Sequence, residues 1–182
     1  MNVLIVDDSA LLRSILKELF NLSNEIASVD EATNGKQAIE KNERSEFDVI
    51  IMDINMPVMD GIAATKEIMK SKPVPIIIFS NEVTAKNSFN ALNSGATEVI
   101  SKPDIDQLNE PTFHKAFILK LKEISAAKII VSKSKKSKST VSGKVQFDLV
   151  VIGASTGGPV AVKTILSMMP KNFSSPIAIV QH

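Results

Sequence analysis

The sequence predicts a doubly wound α/β chain: a five-stranded parallel sheet with helices on both faces, then a tether and the first strand–helix–strand unit of a second α/β domain. Three observations predict it. Short apolar runs alternate with stretches of helical period, which is the pattern of βαβ units. The runs at 3–6, 47–52 and 75–79 are largely apolar throughout, as in strands covered on both faces. Four of the five runs end on residues that carry chemistry: Asp7-Asp8, Asp53, Ser80 and Lys102.

Residues 3–6, Val-Leu-Ile-Val, are the first strand. Ser9 then caps a helix in which Leu11, Leu12, Ile15, Leu16 and Leu19 recur at helical spacing. Residues 26–32 are the second strand, Asn34-Gly35 a turn and 36–44 a short helix. The third strand, 47–52, runs into Asp53. Pro57 and Gly61 bracket a loop before a helix at 62–70. The fourth strand, 75–79, reaches Ser80; a helix at 84–93 stops at Gly95, a good C-terminal cap. The fifth strand, 98–101, leads into Lys102-Pro103, and Pro111 opens a last helix to about residue 125. These elements make a first domain of 1–125.

The composition then changes. The run from Ser132 to Ser142 alternates serine with lysine and holds one apolar residue, so 126–146 is expected to be a flexible basic linker. A basic tract can bind phosphates, but a solvated tether is the better account of so short a run. A second domain starts at 147–182. Residues 147–152 form a strand, 153–158 (Gly-Ala-Ser-Thr-Gly-Gly) a tight loop, 159–169 a helix with proline in its first turn, and 176–180 another strand. One such unit is too small to bury both faces of its sheet, so this part is expected to be the beginning of a larger domain.

Composition narrows the function. With 182 residues, 44% hydrophobic and 23% charged, the chain is expected to be soluble and globular. A net charge of +1 supplies no long-range field for nucleic acid, and the absence of Tyr and Trp argues against aromatic stacking platforms for single strands. No apolar run approaches the roughly 20 residues of a spanning helix, so neither nucleic-acid binding nor membrane insertion is expected. The lack of cysteine excludes disulfides and thiolate metal sites and fits a cytoplasmic location.

Ligands of doubly wound sheets bind at the carboxyl ends of the strands, where strand order reverses. In the order 2-1-3-4-5, Asp7, Asp8 and Asp53 share one crevice with Ser80 and Lys102 at its side. Three carboxylates repel one another, and a hard divalent cation such as Mg²⁺ relieves that. The same ion can bind a transferring phosphoryl group, Lys102 can offset charge on its oxygens, and Ser80 can donate a hydrogen bond to it. Asp53, the lone carboxylate beside the pair, is the expected nucleophile.

With Val6-Asp7-Asp8-Ser9, the run from Met52 to Gly61 (Met-Asp-Ile-Asn-Met-Pro-Val-Met-Asp-Gly), Ser80 and Lys102-Pro103, residues 1 to about 125 resemble the flavodoxin-like receiver domains of two-component response regulators. The resemblance implies phosphorylation of Asp53 by a histidine kinase. It implies Mg²⁺ bound by Asp8, Asp53 and the Asn55 carbonyl, with Asp7 acting through water, and a cis peptide before Pro103. One position departs: Val99 stands three before the lysine, where the family usually has an aromatic switch residue.

Gly153-Ala154-Ser155-Thr156-Gly157 fits G-x-S-x-G between a strand and a helix, a context that presents a serine hydroxyl on a sharp turn. Such a serine needs a base, and His182 ends the next strand. The pattern alone leaves a phosphate-binding loop and an incidental histidine open. Receiver, basic linker, then this loop and Val180-Gln181-His182 resemble the chemotaxis protein-glutamate methylesterase family over the whole chain. That resemblance implies Ser155 as nucleophile and His182 as base. It implies methyl-accepting chemoreceptors as substrate, through ester hydrolysis at glutamates and deamidation of glutamines. It also implies a receiver that blocks the esterase until phosphorylated. The family's triad aspartate has no counterpart among these 182 residues, so by themselves they are expected to be inactive as an esterase. The alternative is a stand-alone receiver acting by phosphorylation-dependent protein binding.

Overall fold

The computed structural model describes residues 1–81, 83–126, 147–154, 162, 165–167, 169–170 and 172–181. The expected linker lies, from residue 127 onward, outside the described residues, as does most of the expected helix at 159–169. The chain divides into two compact units, Met1–Val131 and Ser132–His182.

In the first unit the elements follow the expected order. They are β1 (Asn2–Val6), α1 (Ala10–Asn21), β2 (Ser28–Ala32), α2 (Gly35–Arg44), β3 (Val49–Met52), α3 (Gly61–Ser71), β4 (Ile76–Ser80), α4 (Ala85–Asn93) and β5 (Glu98–Ser101). After β5 come α5 (Ile105–Leu108) and α6 (Pro111–Ala126). The strands are parallel and ordered β2-β1-β3-β4-β5. Side-chain caps set the helix starts: Ser9, Asn34, Asp60, Thr84 and Asp104 each accept a backbone N–H three residues on. Gly95 follows the C-cap of α4 at φ 104°, as its place in the sequence predicts.

The period of two along each strand sends alternate side chains to opposite faces. Val3, Ile5, Val49, Ile51, Ile77 and Phe79 meet Leu16, Leu19 and Phe20 of α1 and Phe117 and Leu121 of α6. Leu4, Val6, Ile50, Met52, Ile76 and Ile78 meet Ala38 of α2, Ala64 and Ile68 of α3 and Ala91 of α4. Two cores explain why the central strands are apolar at every position. The edge strand β2 is different. Its Glu31 is held by Lys17 at 2.6 Å and Arg13 at 3.2 Å, and its Asp30 by Lys41 at 2.6 Å.

Several local features depart from the sequence reading. The third strand starts at Val49 rather than residue 47, and the strand expected at 147–152 runs Val150–Ala154, so that Gly153 and Ala154 of the expected loop are strand. β2 starts at Ser28 rather than residue 26, because Ile26 still belongs to the turn closed on Ser23. The single-turn helix α5 lies between Lys102-Pro103 and α6; four residues are too few to show a helical period. Among the described residues no peptide bond is cis, so the bond before Pro103 is trans, where the resemblance implies cis. Trans is the intrinsic preference even before proline, and Lys102 reaches the acidic pocket in that form.

The β3–α3 loop stores strain. Val58 has φ 69°, and the N–H of Met59 donates to the Pro57 carbonyl at 2.7 Å. This closes a three-residue turn of the rare hand. A β-branched residue there costs about 1–3 kcal/mol, and at 81% exposure Val58 recovers none of it by burial. Val58→Asn is therefore expected to stabilise the first unit by about 1 kcal/mol, raising its thermal midpoint by roughly 4 °C. A midpoint at or below that of the parent in a circular-dichroism melt would show that the turn is unstrained.

In the second unit β6 (Val150–Ala154) and β7 (Ile177–Gln181) pair in parallel, from Val150 opposite Ile177 to Ala154 opposite Gln181.

Candidate functional site

The pocket is assembled by ladder bonds that run one residue past the strand ends. The N–H of Asp7 donates to the Ala32 carbonyl at 3.1 Å and that of Asp53 to the Val6 carbonyl at 2.8 Å. The N–H of Lys102 donates to the Ser80 carbonyl at 3.0 Å. Asp7, Asp53, Ser80 and Lys102 thereby stand on one edge of the sheet, where the sequence places them. Ser80, the last residue of β4, is buried there.

Carboxylate oxygens of Asp7, Asp8 and Asp53 lie within 4.8 Å of one another. Asp7 and Asp53 are 3% and 5% exposed, while Asp8 is open to solvent. Lys102 Nζ sits between the buried pair, 2.6 Å from Asp7 Oδ2 and 3.1 Å from Asp53 Oδ1. Asp7 Oδ1 accepts the N–H of Ser9 at 2.9 Å, so both oxygens of Asp7 already have donors. Burial pushes the Asp53 carboxyl above its ordinary value; Lys102 opposes the shift and the nearby Asp7 charge adds to it. Asn55 is exposed in the β3–α3 loop two residues beyond Asp53.

The donor set is all oxygen, with one solvent-facing carboxylate, and it fits a hard cation that keeps several waters. It does not fit a soft metal, since the chain has no cysteine.

Gly61 packs directly against the Asp53 backbone. Its N–H donates to the Ile54 carbonyl at 2.9 Å, and a Cβ added to it would stand 1.9 Å from the Asp53 carbonyl oxygen. Val99 is half-buried against the α3–α4 core, an aliphatic residue on the strand face where the sequence departs from the usual aromatic. Sequence reasoning missed Arg13, whose Nη1 donates to the Asp7 carbonyl at 2.8 Å. A charged residue on an amphipathic helix reads as solvent-facing, and only the ladder position of Asp7 reveals the contact.

Ser155 and His182 lie outside the described residues. The strands that precede them are parallel neighbours, and their last residues, Ala154 and Gln181, are register partners. No helix among the described residues is long and apolar enough to cross a membrane.

Known proteins match this arrangement. Residues 3–112 match the response regulator receiver domain family, and residues 150–182 match the CheB methylesterase family. Along its whole length the chain is 34% identical to a protein-glutamate methylesterase/protein-glutamine glutaminase 1 of Vibrio vulnificus, covering 58% of that protein. The response regulator domain of Thermotoga maritima CheB is 35% identical, with a TM-score of 0.61, over 70% of this chain and 97% of that one. A CheX–CheY–BeF3–Mg complex from Borrelia burgdorferi is 31% identical, with a TM-score of 0.55, over 66% of this chain and 85% of that one. The chain spans little more than half the length of the curated relatives it matches. A receiver match over most of the chain, followed by a methylesterase match, places it in the CheB family of response regulators.

Proposed function

We propose that the first unit accepts a phosphoryl group on Asp53 from a histidine kinase and thereby controls an esterase of which residues 147–182 are a part. The observation that carries this reading is Lys102 Nζ poised between Asp7 and Asp53 in a pocket of three carboxylates. In the transfer an Asp53 carboxylate oxygen bonds to phosphorus as the phosphorus–nitrogen bond of the donor histidine breaks. The leaving imidazole takes up a proton. The product is a mixed anhydride whose phosphoryl oxygens Lys102 and the Ser80 hydroxyl would bind. Asp8, Asp53 and the Asn55 carbonyl would hold Mg²⁺, with Asp7 as an outer partner; bound there, it supplies charge neutralisation for the carboxylates and the phosphoryl oxygens.

The methylesterase match at 150–182 favours this regulated enzyme over a stand-alone receiver acting by protein binding. By the same likeness, Ser155 is the nucleophile and His182 its base. The reaction is hydrolysis of glutamate methyl esters and deamidation of glutamines on methyl-accepting chemoreceptors, in the cytoplasm. The relatives are the longer proteins, so this activity is read as that of a longer chain.

The test is a calorimetric Mg²⁺ titration joined to labelling with acetyl phosphate. Asp8→Ala is expected to weaken Mg²⁺ by more than the roughly tenfold that an outer-sphere substitution costs, and to lower labelling at limiting metal. Asp7→Ala is expected to cost less, because both Asp7 oxygens are committed to Lys102 and Ser9. Equal affinity in the parent and Asp8→Ala would remove Asp8 from the ligand set. Metal-independent labelling would overturn the reading of the pocket.

A further inference from the structure

Asp7 and Asp8 share one planar peptide unit, so whatever holds the Asp7 carbonyl also sets the direction in which Asp8 leaves it. The N–H side of Asp7 is fixed by the sheet, through Ala32. The carbonyl side lies beyond the end of β1 and is held instead from α1, by Arg13 Nη1 at 2.8 Å. Nε of the same guanidinium donates to Glu31 Oε2 on β2 at 3.2 Å. Glu31 Oε1 accepts from Lys17 Nζ at 2.6 Å. The Arg13 side chain is 13% exposed, so it is packed in place between two strands and a helix rather than extended into water.

We propose that Arg13 is a positioning residue for the acceptor pocket: it ties the Asp7 carbonyl to Glu31 and so fixes the peptide plane from which Asp8 presents its carboxylate. This rests on the reading that Asp8 helps to hold Mg²⁺. The arrangement requires arginine. A planar fork reaches two acceptors on different elements at once with a fixed angle between its donors, whereas a lysine ammonium is a single point on a flexible stem. Among the described residues Arg13 pairs with the Asp7 carbonyl and Glu31 and forms no ion pair with the carboxylates of Asp7, Asp8 or Asp53.

The sign of the effect separates positioning from charge. Arg13 is a cation near a cation site, so on charge alone its removal strengthens Mg²⁺ binding. As a positioning residue, its removal weakens binding. The experiment is a MgCl₂ titration of the 182-residue chain, followed by calorimetry, for the parent, Arg13→Gln, Arg13→Lys and Lys17→Gln. The Asp7 carbonyl carbon resonance is recorded in the absence of metal as a direct report on its hydrogen bond.

Arg13→Gln and Arg13→Lys are both expected to weaken Mg²⁺ by about tenfold, the effect of losing an outer-sphere support, and to shift the Asp7 carbonyl resonance. Lys17→Gln, which takes a cation from the same Glu31 without touching Asp7, is expected to leave affinity unchanged or slightly tighter. Thermal melts check that each variant folds, and Arg13→Lys, which keeps the charge, carries the test if Arg13→Gln does not. Unchanged or tighter binding in a folded Arg13 variant, or an equal loss in Lys17→Gln, overturns the role of Arg13. Failure of the parent to bind Mg²⁺ overturns the underlying reading of the pocket and this inference with it.

Discussion

Asp53→Asn is expected to lose phosphoryl labelling altogether, in the presence of Mg²⁺ and an excess of acetyl phosphate. The substitution keeps the shape of the side chain and removes the anionic oxygen that would form the proposed anhydride. Other carboxylates are poor substitutes. Asp7 has one oxygen on Lys102 and the other on the Ser9 N–H, and Asp8 is exposed rather than set against Lys102. The fold has little reason to fail, because burial already disfavours the charge on Asp53 and an amide removes that cost. Lys102 retains Asp7 as a partner at 2.6 Å. Intact-mass analysis of the labelled protein, with a thermal melt beside it, gives the answer. Undiminished labelling in a folded Asp53→Asn protein would move the acceptor elsewhere.

The second large effect is expected from one methyl group. In Gly61→Ala the new Cβ would lie 1.9 Å from the Asp53 carbonyl oxygen and 2.9 Å from both the Asp53 carbonyl carbon and Met52 Cγ. Atoms do not approach so closely, so either Asp53 or the first turn of α3 must move. Neither is free to do so. The Gly61 N–H is bonded to the Ile54 carbonyl at 2.9 Å, and the Gly61 carbonyl accepts the Thr65 hydroxyl at 2.7 Å. Overpacking in such a place costs about 1–3 kcal/mol, and a strained or broken hydrogen bond adds about 1. A loss of about 3 kcal/mol would lower the thermal midpoint by roughly 10 °C. Labelling should fall with it even at temperatures where the protein is folded, since one side of the clash is the backbone of Asp53, the proposed acceptor. A midpoint within a degree or two of the parent, with normal labelling, would mean that the strand end shifts freely.

How much of this was legible in the sequence depended on the kind of signal. The strand ends were legible because an apolar run that stops at Asp7, Asp53 or Ser80 marks both the strand and the chemistry at its tip. Right-handed crossovers made a doubly wound sheet legible, but several strand orders satisfy them. The order 2-1-3-4-5, under which those tips meet, was a premise of the sequence reading and is fixed by the structure. The helix α5 was not legible, since one turn carries no period. Gly61 was visible only as loop punctuation; that its missing Cβ makes room for the Asp53 carbonyl is a fact of packing. The strained φ of Val58 had no sequence signal, because valine is the last residue that backbone statistics would put there. The trans bond before Pro103 differs from the expectation carried by the resemblance, and no local pattern distinguishes the two forms.

The make-up of β2 and β5 bears on a different matter, the behaviour of this protein when it is crowded. An open sheet ends in two rows of backbone donors and acceptors that another extended chain could join. Here one border carries Asp30 and Glu31, each already engaged by neighbouring lysines or arginine. The other border is only four residues long and has Glu98 drawn aside by Lys120 at 2.8 Å. A stray strand would meet charged side chains at one border and would find little backbone to grip at the other. The receiver thus carries its own defence against edge-to-edge self-association.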